Sequence, residues 1–176
     1  ASTLAEETKG KTLKWMISEA KKSNAALTGS VIISENNTFY NRLFFVFPNG
    51  EYKMYDKKHT FTLAGEHKTY SKGTKRLVVD YKGWKICPLV CYDLRFPYLY
   101  RELAKKGAEV ILLPAAFTVP TGKDHWETLV RARAIENFSF LIATNMCGTH
   151  HTNRKTYGHS LAINPWGKII NKAFSR

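Results

Sequence analysis

The stretch KICPLVCYDLRFPYLYRELAKKGAEVILLP, residues 85–114, constrains the fold more than any other part of the chain. Two nearly all-apolar runs, ICPLVC and EVILLP, enclose a segment that opens on Pro97, closes on Gly107 and carries Leu99, Tyr100, Leu103 and Ala104 at helical spacing. Proline fits the first turn of a helix and glycine the residue past its end. Strands apolar on both faces belong to parallel sheets covered by helices. The stretch therefore reads as a strand–helix–strand unit, and the chain as an α/β protein.

The flanking sequence agrees. Leu13, Met16, Ile17 and Ala20 predict a helix over Lys11–Lys22. ALTGSVIIS predicts a strand ending near Ser34, ENN a turn, TFYNRLFFVF a second strand and PNG a reversal. EYKMYDKKH then returns with Tyr52, Met54 and Asp56 on one face and Lys53, Tyr55 and Lys57 on the other. KRLVVDY and GW predict a short hairpin into the ICPLVC strand. A second helix is expected to open near DHWE, with Asp124 as cap and Glu127 closing a capping box, and to run through TLVRARAIEN into the strand FSFLIATNM. HSLAINPWGKII adds a strand, a turn and a strand. No repeat, linker or low-complexity tract divides residues 1–176, which read as a single domain with abrupt ends.

Composition narrows the function classes. A hydrophobic content of 44% argues for a packed core. The net charge of +13 could signal nucleic acid, but lysines are spread from Lys9 to Lys172 with acids between them, so a solvated surface and no nucleic-acid partner are expected. No apolar run is long enough for a membrane span and no signal peptide opens the chain, so no membrane partner is expected. Three cysteines with no disulfide framework fit a reducing, cytoplasmic setting.

Cys91 ends the apolar run and precedes Asp93, Arg95 and the helix at Pro97. Open α/β sheets place ligands beyond the carboxyl ends of their strands, where nearby backbone N–H groups can face an oxyanion. Cys91 is thus a candidate nucleophile, against the alternative of an inert buried thiol. Cys87, four residues earlier, would share its face in a regular strand, and its apolar neighbours predict a core residue. Cys147 is expected to pack. Lys57 could stabilise negative charge near a cysteine and Glu66 could partner it, although each also reads as a surface residue, as neighbouring Lys58 does. His150, His151 and His159 lack a CxxC or HExxH partner, so no metal is expected. Nucleotide-binding glycine motifs and a GxSxG elbow are absent.

YNRLFFVFPNGEYKMYDKKHTF, AGEHKTYSKG, PLVCYDLRFP, HWETLVRARAIEN and YGHSLAINPWGKII, in that order, resemble the nitrilase-like carbon–nitrogen hydrolase superfamily and, within it, the omega-amidase branch. The resemblance implies the central portion of an αββα four-layer sandwich. It implies Cys91 as nucleophile, Lys57 rather than Lys58 as the catalytic lysine, Glu66 as the supporting carboxylate and the backbone N–H of Tyr92 as an oxyanion donor. The family's first catalytic glutamate precedes the opening helix and has no match among these residues; Glu6 and Glu7 do not replace it. On that reading the 176 residues alone are expected to be inactive.

The implied reaction hydrolyses a small linear amide through a cysteine thioester, without metal or organic cofactor. The implied substrate is a short anionic 2-oxo dicarboxylate monoamide, and Phe61, Arg95, Phe117 and Trp126 are candidate pocket residues. Glu127 and Arg131 can form a helical ion pair, which makes Arg131 and Arg133 structural or interfacial candidates. The family implies a homodimer. Competing readings are a related amidase or nitrilase with another substrate, an inactive fragment, and a basic nucleic-acid-binding module.

Overall fold

The computed structural model describes residues 3–150 and 153–173. The chain divides into two compact units, Ala1–Leu77 and Val78–Arg176.

In the first unit, helix α1 (Lys11–Ser23) precedes strands β1 (Leu27–Glu35), β2 (Thr38–Val46) and β3 (Tyr52–Asp56). The strands form an antiparallel meander in that order. Leu13, Met16 and Ala20 share one helix face because they lie three, four and seven residues apart, and they bury against Ile33, Phe44 and Val46. Asn24 ends the helix in the left-handed conformation, φ 48°, its N–H donating to the carbonyls of Ala20 and Lys21. The other end is secured from outside the helix. The Glu6 carboxylate accepts from the Thr12 N–H (2.8 Å) and hydroxyl (2.6 Å), which holds the Glu6 carboxyl below its usual range.

β2 is buried from Arg42 through Val46, so it takes a guanidinium into the interior. An unpaired buried charge would be prohibitive, and the structure supplies partners. Asp56, opposite Arg42 in the ladder, accepts from Nε at 2.7 Å and from a terminal nitrogen at 3.0 Å. Glu35 accepts at 3.0 Å and the Thr8 hydroxyl at 2.8 Å. The Asp56 bonds, foremost, raise the Arg42 pKa above its ordinary value. They also fix the end of β3, one residue before Lys57.

The second unit contains β4 (Val79–Tyr81), β5 (Trp84–Pro88), α2 (Pro97–Lys105), β6 (Val110–Ala115), α3 (Val119–Thr121), α4 (Glu127–Asn137) and β7 (Phe140–Asn145). β8 (Cys147–Thr149), β9 (Lys155–Tyr157), β10 (Leu161–Ile163) and β11 (Ile169–Lys172) complete it. Its six-stranded sheet runs β11-β10-β7-β6-β5-β4, with β5, β6 and β7 parallel and the outer pairs antiparallel. The predicted unit is β5–α2–β6, and helical segments again link β6 to β7.

Two expectations are corrected. The helix foreseen at Asp124 begins earlier, at Val119, with Pro120 in its first turn and Thr118 as its extended cap. Asp124 instead lies in a π-helical turn, Gly122–Trp126, and Glu127 binds Lys172 (2.6 Å) and Arg131 (3.7 Å) rather than closing a capping box. A proline start signal outweighs an internal aspartate, because proline can enter a helix only near its beginning. The histidine-rich segment also holds the β8–β9 hairpin, which was not foreseen; His151 lies outside the described residues. Among the described residues no helix is long and apolar enough to cross a membrane.

Candidate active site

β5 ends at Pro88, although the Leu89 N–H still donates to the Leu112 carbonyl at 2.9 Å. Val90 stays extended, and the chain then breaks: Cys91 takes φ 46° and opens a 3-10 turn, Cys91–Arg95. A left-handed conformation costs a non-glycine residue roughly 1–2 kcal/mol and persists only where its surroundings impose it. Here Asp93, fully buried, supplies that constraint. Its N–H donates to the Val90 carbonyl at 3.0 Å, and its carboxylate accepts the Val90 N–H at 3.1 Å. From α4, Arg133 donates to the Leu94 carbonyl at 3.0 Å and pairs with Glu136 at 2.9 Å. Beneath the turn, burial foremost and the Asp93 charge next hold the Tyr100 hydroxyl well above the usual phenol range.

Cys87 and Cys91 would share a strand face only in a regular strand, and the break at Cys91 removes that condition. Cys87 is paired in β5 opposite Ile111 and fully buried, and burial pushes its thiol up to about 12 against a smaller opposing effect of Lys106. Cys91 is half-buried, beyond the carboxyl end of β5. Cys147 was expected to pack and is exposed, because all of β8 is exposed.

In the first unit, Lys57 continues β3. Its N–H donates to the Asn41 carbonyl and its carbonyl accepts from Gly73, each at 2.9 Å. Position 73 must be glycine, since a Cβ there would lie 1.9 Å from the Asp56 carbonyl oxygen. Lys57 is 3% exposed, and its ammonium reaches both oxygens of Glu66, at 2.6 and 2.9 Å. Glu66 follows Gly65, whose φ of 71° turns the chain, and also accepts the Phe61 backbone N–H. Burial first, and the Glu66 charge second, raise the Tyr70 pKa above its usual value. Lys57, Glu66 and Phe61 therefore form one hydrogen-bonded group.

In the second unit, Arg95, Phe117 and Trp126 form a run. The Arg95 guanidinium lies 5.5 Å over the Phe117 ring, and Phe117 is 5.0 Å from Trp126. Trp126 is fully buried, its indole N–H donating to the His159 carbonyl at 2.8 Å. Phe117 lies just past the end of β6, where Asn145 at the end of β7 accepts its N–H at 2.8 Å and donates to the Gly158 carbonyl at 2.7 Å. Arg95 also donates to Nδ1 of His125 at 3.0 Å. Tyr92 packs edge-on against Phe96. Among the described residues no group of three or more histidine, cysteine or acidic residues could hold a metal.

Sequence reasoning assigned no role to Asp93 beyond marking a polar break, left His125 between seating its helix against the sheet and touching substrate, and passed over Asn145. Asp93 and His125 stand inside stretches already singled out, and Asn145 ends a buried strand beside its parallel neighbour. A polar residue at such a strand end is the signal that could have marked it, because it must find partners where the ladder stops.

A parallel sheet whose strand ends carry a strained cysteine and an arginine–aromatic cluster, in a chain that also pairs a buried lysine with a half-buried carboxylate, defines a class that comparison identifies. The carbon–nitrogen hydrolase family matches residues 1–176, and the chain belongs to that family. It is 39% identical over 173 residues to the omega-amidase YafV of Escherichia coli K12, covering 98% of this chain and 65% of that protein. It is 39% identical over 156 residues to the deaminated glutathione amidase of a Synechocystis strain, covering 81% of this chain and 56% of the relative. The chain thus spans less than two-thirds of the length of these relatives. The crystal structure of XC1258 from Xanthomonas campestris, a CN-hydrolase superfamily protein with an arsenic adduct in its active site, matches at a TM-score of 0.92 and 36% identity, covering 98% of this chain and 67% of that one. The α/β fold of the carbon–nitrogen hydrolase type, expected from the sequence, is the fold found.

Proposed function

We propose that this protein hydrolyses the carbon–nitrogen bond of small linear amides through a thioester on Cys91, with a short 2-oxo dicarboxylate monoamide as substrate. The observation that carries the reading is the left-handed Cys91 beyond the carboxyl end of a central parallel strand. Strain of this kind concentrates at functional sites, and a buried structural thiol such as Cys87 shows none. In this reading both units serve one catalytic domain.

The chemistry divides as follows. A carboxylate base takes the Cys91 proton, and the thiolate sulfur bonds to the amide carbon. The tetrahedral oxyanion is met by the Lys57 ammonium and the Tyr92 N–H, with Glu66 holding Lys57 in place. The carbon–nitrogen bond breaks as the base returns its proton to departing ammonia. Water then cleaves the thioester, releasing the acid and restoring the thiol. The base has no match among the 176 residues, so these residues alone should turn over amides slowly or not at all. A homodimer remains the assembly implied by the resemblance.

Similarity to a protein named omega-amidase supports the substrate, and equal identity to a deaminated glutathione amidase favours a longer amide as the second reading. The test is hydrolysis by the protein at the length its gene encodes, verified by intact mass, read as ammonia released from the 2-oxo analogue of glutamine and as peptide amine released from deaminated glutathione. The expected result is turnover of the former, with an acyl adduct on Cys91 detectable by mass. Turnover that survives Cys91→Ala, or no hydrolysis of any linear amide, overturns the proposal.

A further inference from the structure

β6 and β7 end together at the carboxyl edge of the sheet, with Ala115 opposite Asn145. Beyond that pair the parallel ladder stops, and two segments need another tie: the one that leaves β6 through Phe117, and the one that enters β10 through Gly158. Asn145, 6% exposed, stands between them. Its side-chain oxygen accepts the Phe117 N–H at 2.8 Å, and its side-chain nitrogen donates to the Gly158 carbonyl at 2.7 Å, both inside the protein. One partner gives a proton and the other takes one, so the orientation of the amide follows from the chemistry. A carboxylate at this position would have no donor, and an apolar side chain would have neither group.

Backbone bonds extend the tie. The N–H groups of Met146, Tyr157 and Gly158 donate to the carbonyls of Ala115, Phe117 and Met146, each at 2.9 Å. What they hold is an aromatic wall. The Phe117 ring, 5% exposed, has Trp126 at 5.0 Å and the Arg95 guanidinium at 5.5 Å, and the Trp126 indole donates to the His159 carbonyl next to Gly158. Cys91 leaves the adjacent parallel strand at the same edge, two residues after Leu89 bonds to Leu112 of β6. Open α/β sheets bind their ligands at this edge. A shift of Phe117 away from Gly158 has to break a buried Asn145 bond, and an amide bond partner lost inside a protein is costly. A wall held in this way discriminates by shape, whereas one that yields admits bulkier ligands.

We infer that Asn145 is a positioning residue that keeps the Phe117–Trp126 wall rigid and thereby makes the site select short amides over long ones. The inference rests on the amidase reading for the reaction itself. Its test uses the full-length protein and compares kcat/KM for the 2-oxo analogue of glutamine with kcat/KM for deaminated glutathione. The ratio of the two cancels the fraction of enzyme that is folded, so a variant that is merely unstable leaves it unchanged. Asn145→Ala should lower the ratio about tenfold, within the discrimination an apolar pocket supplies, with the loss falling on KM for the short amide and kcat little changed. Asn145→Asp keeps the acceptor for Phe117 but sets two acceptors face to face at Gly158, and should lower the ratio by a similar factor. Ser160→Ala is the control. It removes the hydroxyl that accepts the Asn145 backbone N–H at 2.9 Å and leaves the side-chain amide in place, so it should lower the unfolding midpoint without moving the ratio.

Three results overturn the inference: no preference between the two amides in the unsubstituted protein, a ratio unchanged in both Asn145 variants, or a ratio that Ser160→Ala lowers as much as Asn145→Ala does. The two readings fail in different ways. Hydrolysis with a ratio indifferent to Asn145 sinks this inference and leaves the amidase reading standing. No hydrolysis of either amide by the unsubstituted protein sinks both.

Discussion

Cys87 and Cys91 are four residues apart in one apolar run, yet they occupy opposite chemical situations. Cys87 sits in a regular ladder, sealed from water, with a thiol that burial pushes up to about 12. Cys91 sits where the ladder has stopped, half-exposed and in a backbone conformation that an ordinary side chain avoids. Residue type does not separate them, and neither does local hydropathy. The difference lies in the three residues between them, over which a paired strand becomes a strained turn held by Asp93 and Arg133. A thiol becomes available for chemistry by leaving the sheet.

The largest effect that comparison predicts is on turnover. Cys91→Ala should lower amide hydrolysis by about 10⁴-fold or more, as loss of a covalent nucleophile does elsewhere, whereas Cys87→Ala should keep most of it. Steady-state ammonia release from the two variants decides the matter; comparable losses would erase the distinction. Next comes the constraint that creates it. Asp93→Ala removes the acceptor for the Val90 N–H inside the protein and should cost about 3 kcal/mol of stability, with Asp93→Asn costing less because an acceptor remains. Denaturant titration of both variants measures this. An Asp93→Ala protein as stable as the parent would mean that something else holds the turn.

Much of this was legible beforehand, and the reason is locality. The helix α1, predicted to end at Lys22, ends at Ser23, because its apolar positions repeat every three or four residues within one segment. The meander and the strand–helix–strand order likewise follow from short-range periodicity and turn residues. Lys57, Glu66 and Cys91 were visible as candidates, and the Lys57–Glu66 contact spans only nine positions. What stayed hidden depends on distant partners. The turn at Cys91 is clamped by Arg133 from 39 positions away, Phe117 is pinned by Asn145 across 28, and Arg95 meets His125 across 30. An apolar string such as ICPLVC carries no mark of where its ladder ends, so the sign of φ at Cys91 could not be read from it.

A smaller effect probes the sealed side of the comparison. Cys87→Ser puts a hydroxyl where the thiol packed, in a fully buried strand position, and should cost about 2 kcal/mol, since a polar group deprived of water without a partner loses roughly that much. The same change at half-buried Cys91 should cost little stability. Equal costs at the two positions, measured as shifts in unfolding midpoint, would show that burial is not what distinguishes them.

The smallest effect is the most pointed, because it predicts a change of sign. In a strand interior, glycine is worse than alanine: it loses more backbone entropy on folding and packs less, so Cys87→Gly should be less stable than Cys87→Ala by about 1 kcal/mol. At a φ of 46° the order should invert, because alanine carries the Cβ penalty of the left-handed region that glycine escapes. Cys91→Gly should therefore be more stable than Cys91→Ala by about 1 kcal/mol. Both variants lack the thiol, so the comparison isolates backbone strain from chemistry. Four unfolding curves suffice. If alanine outlasts glycine at both positions, Cys91 is not strained, and the proposal that it is the nucleophile loses the observation it rests on.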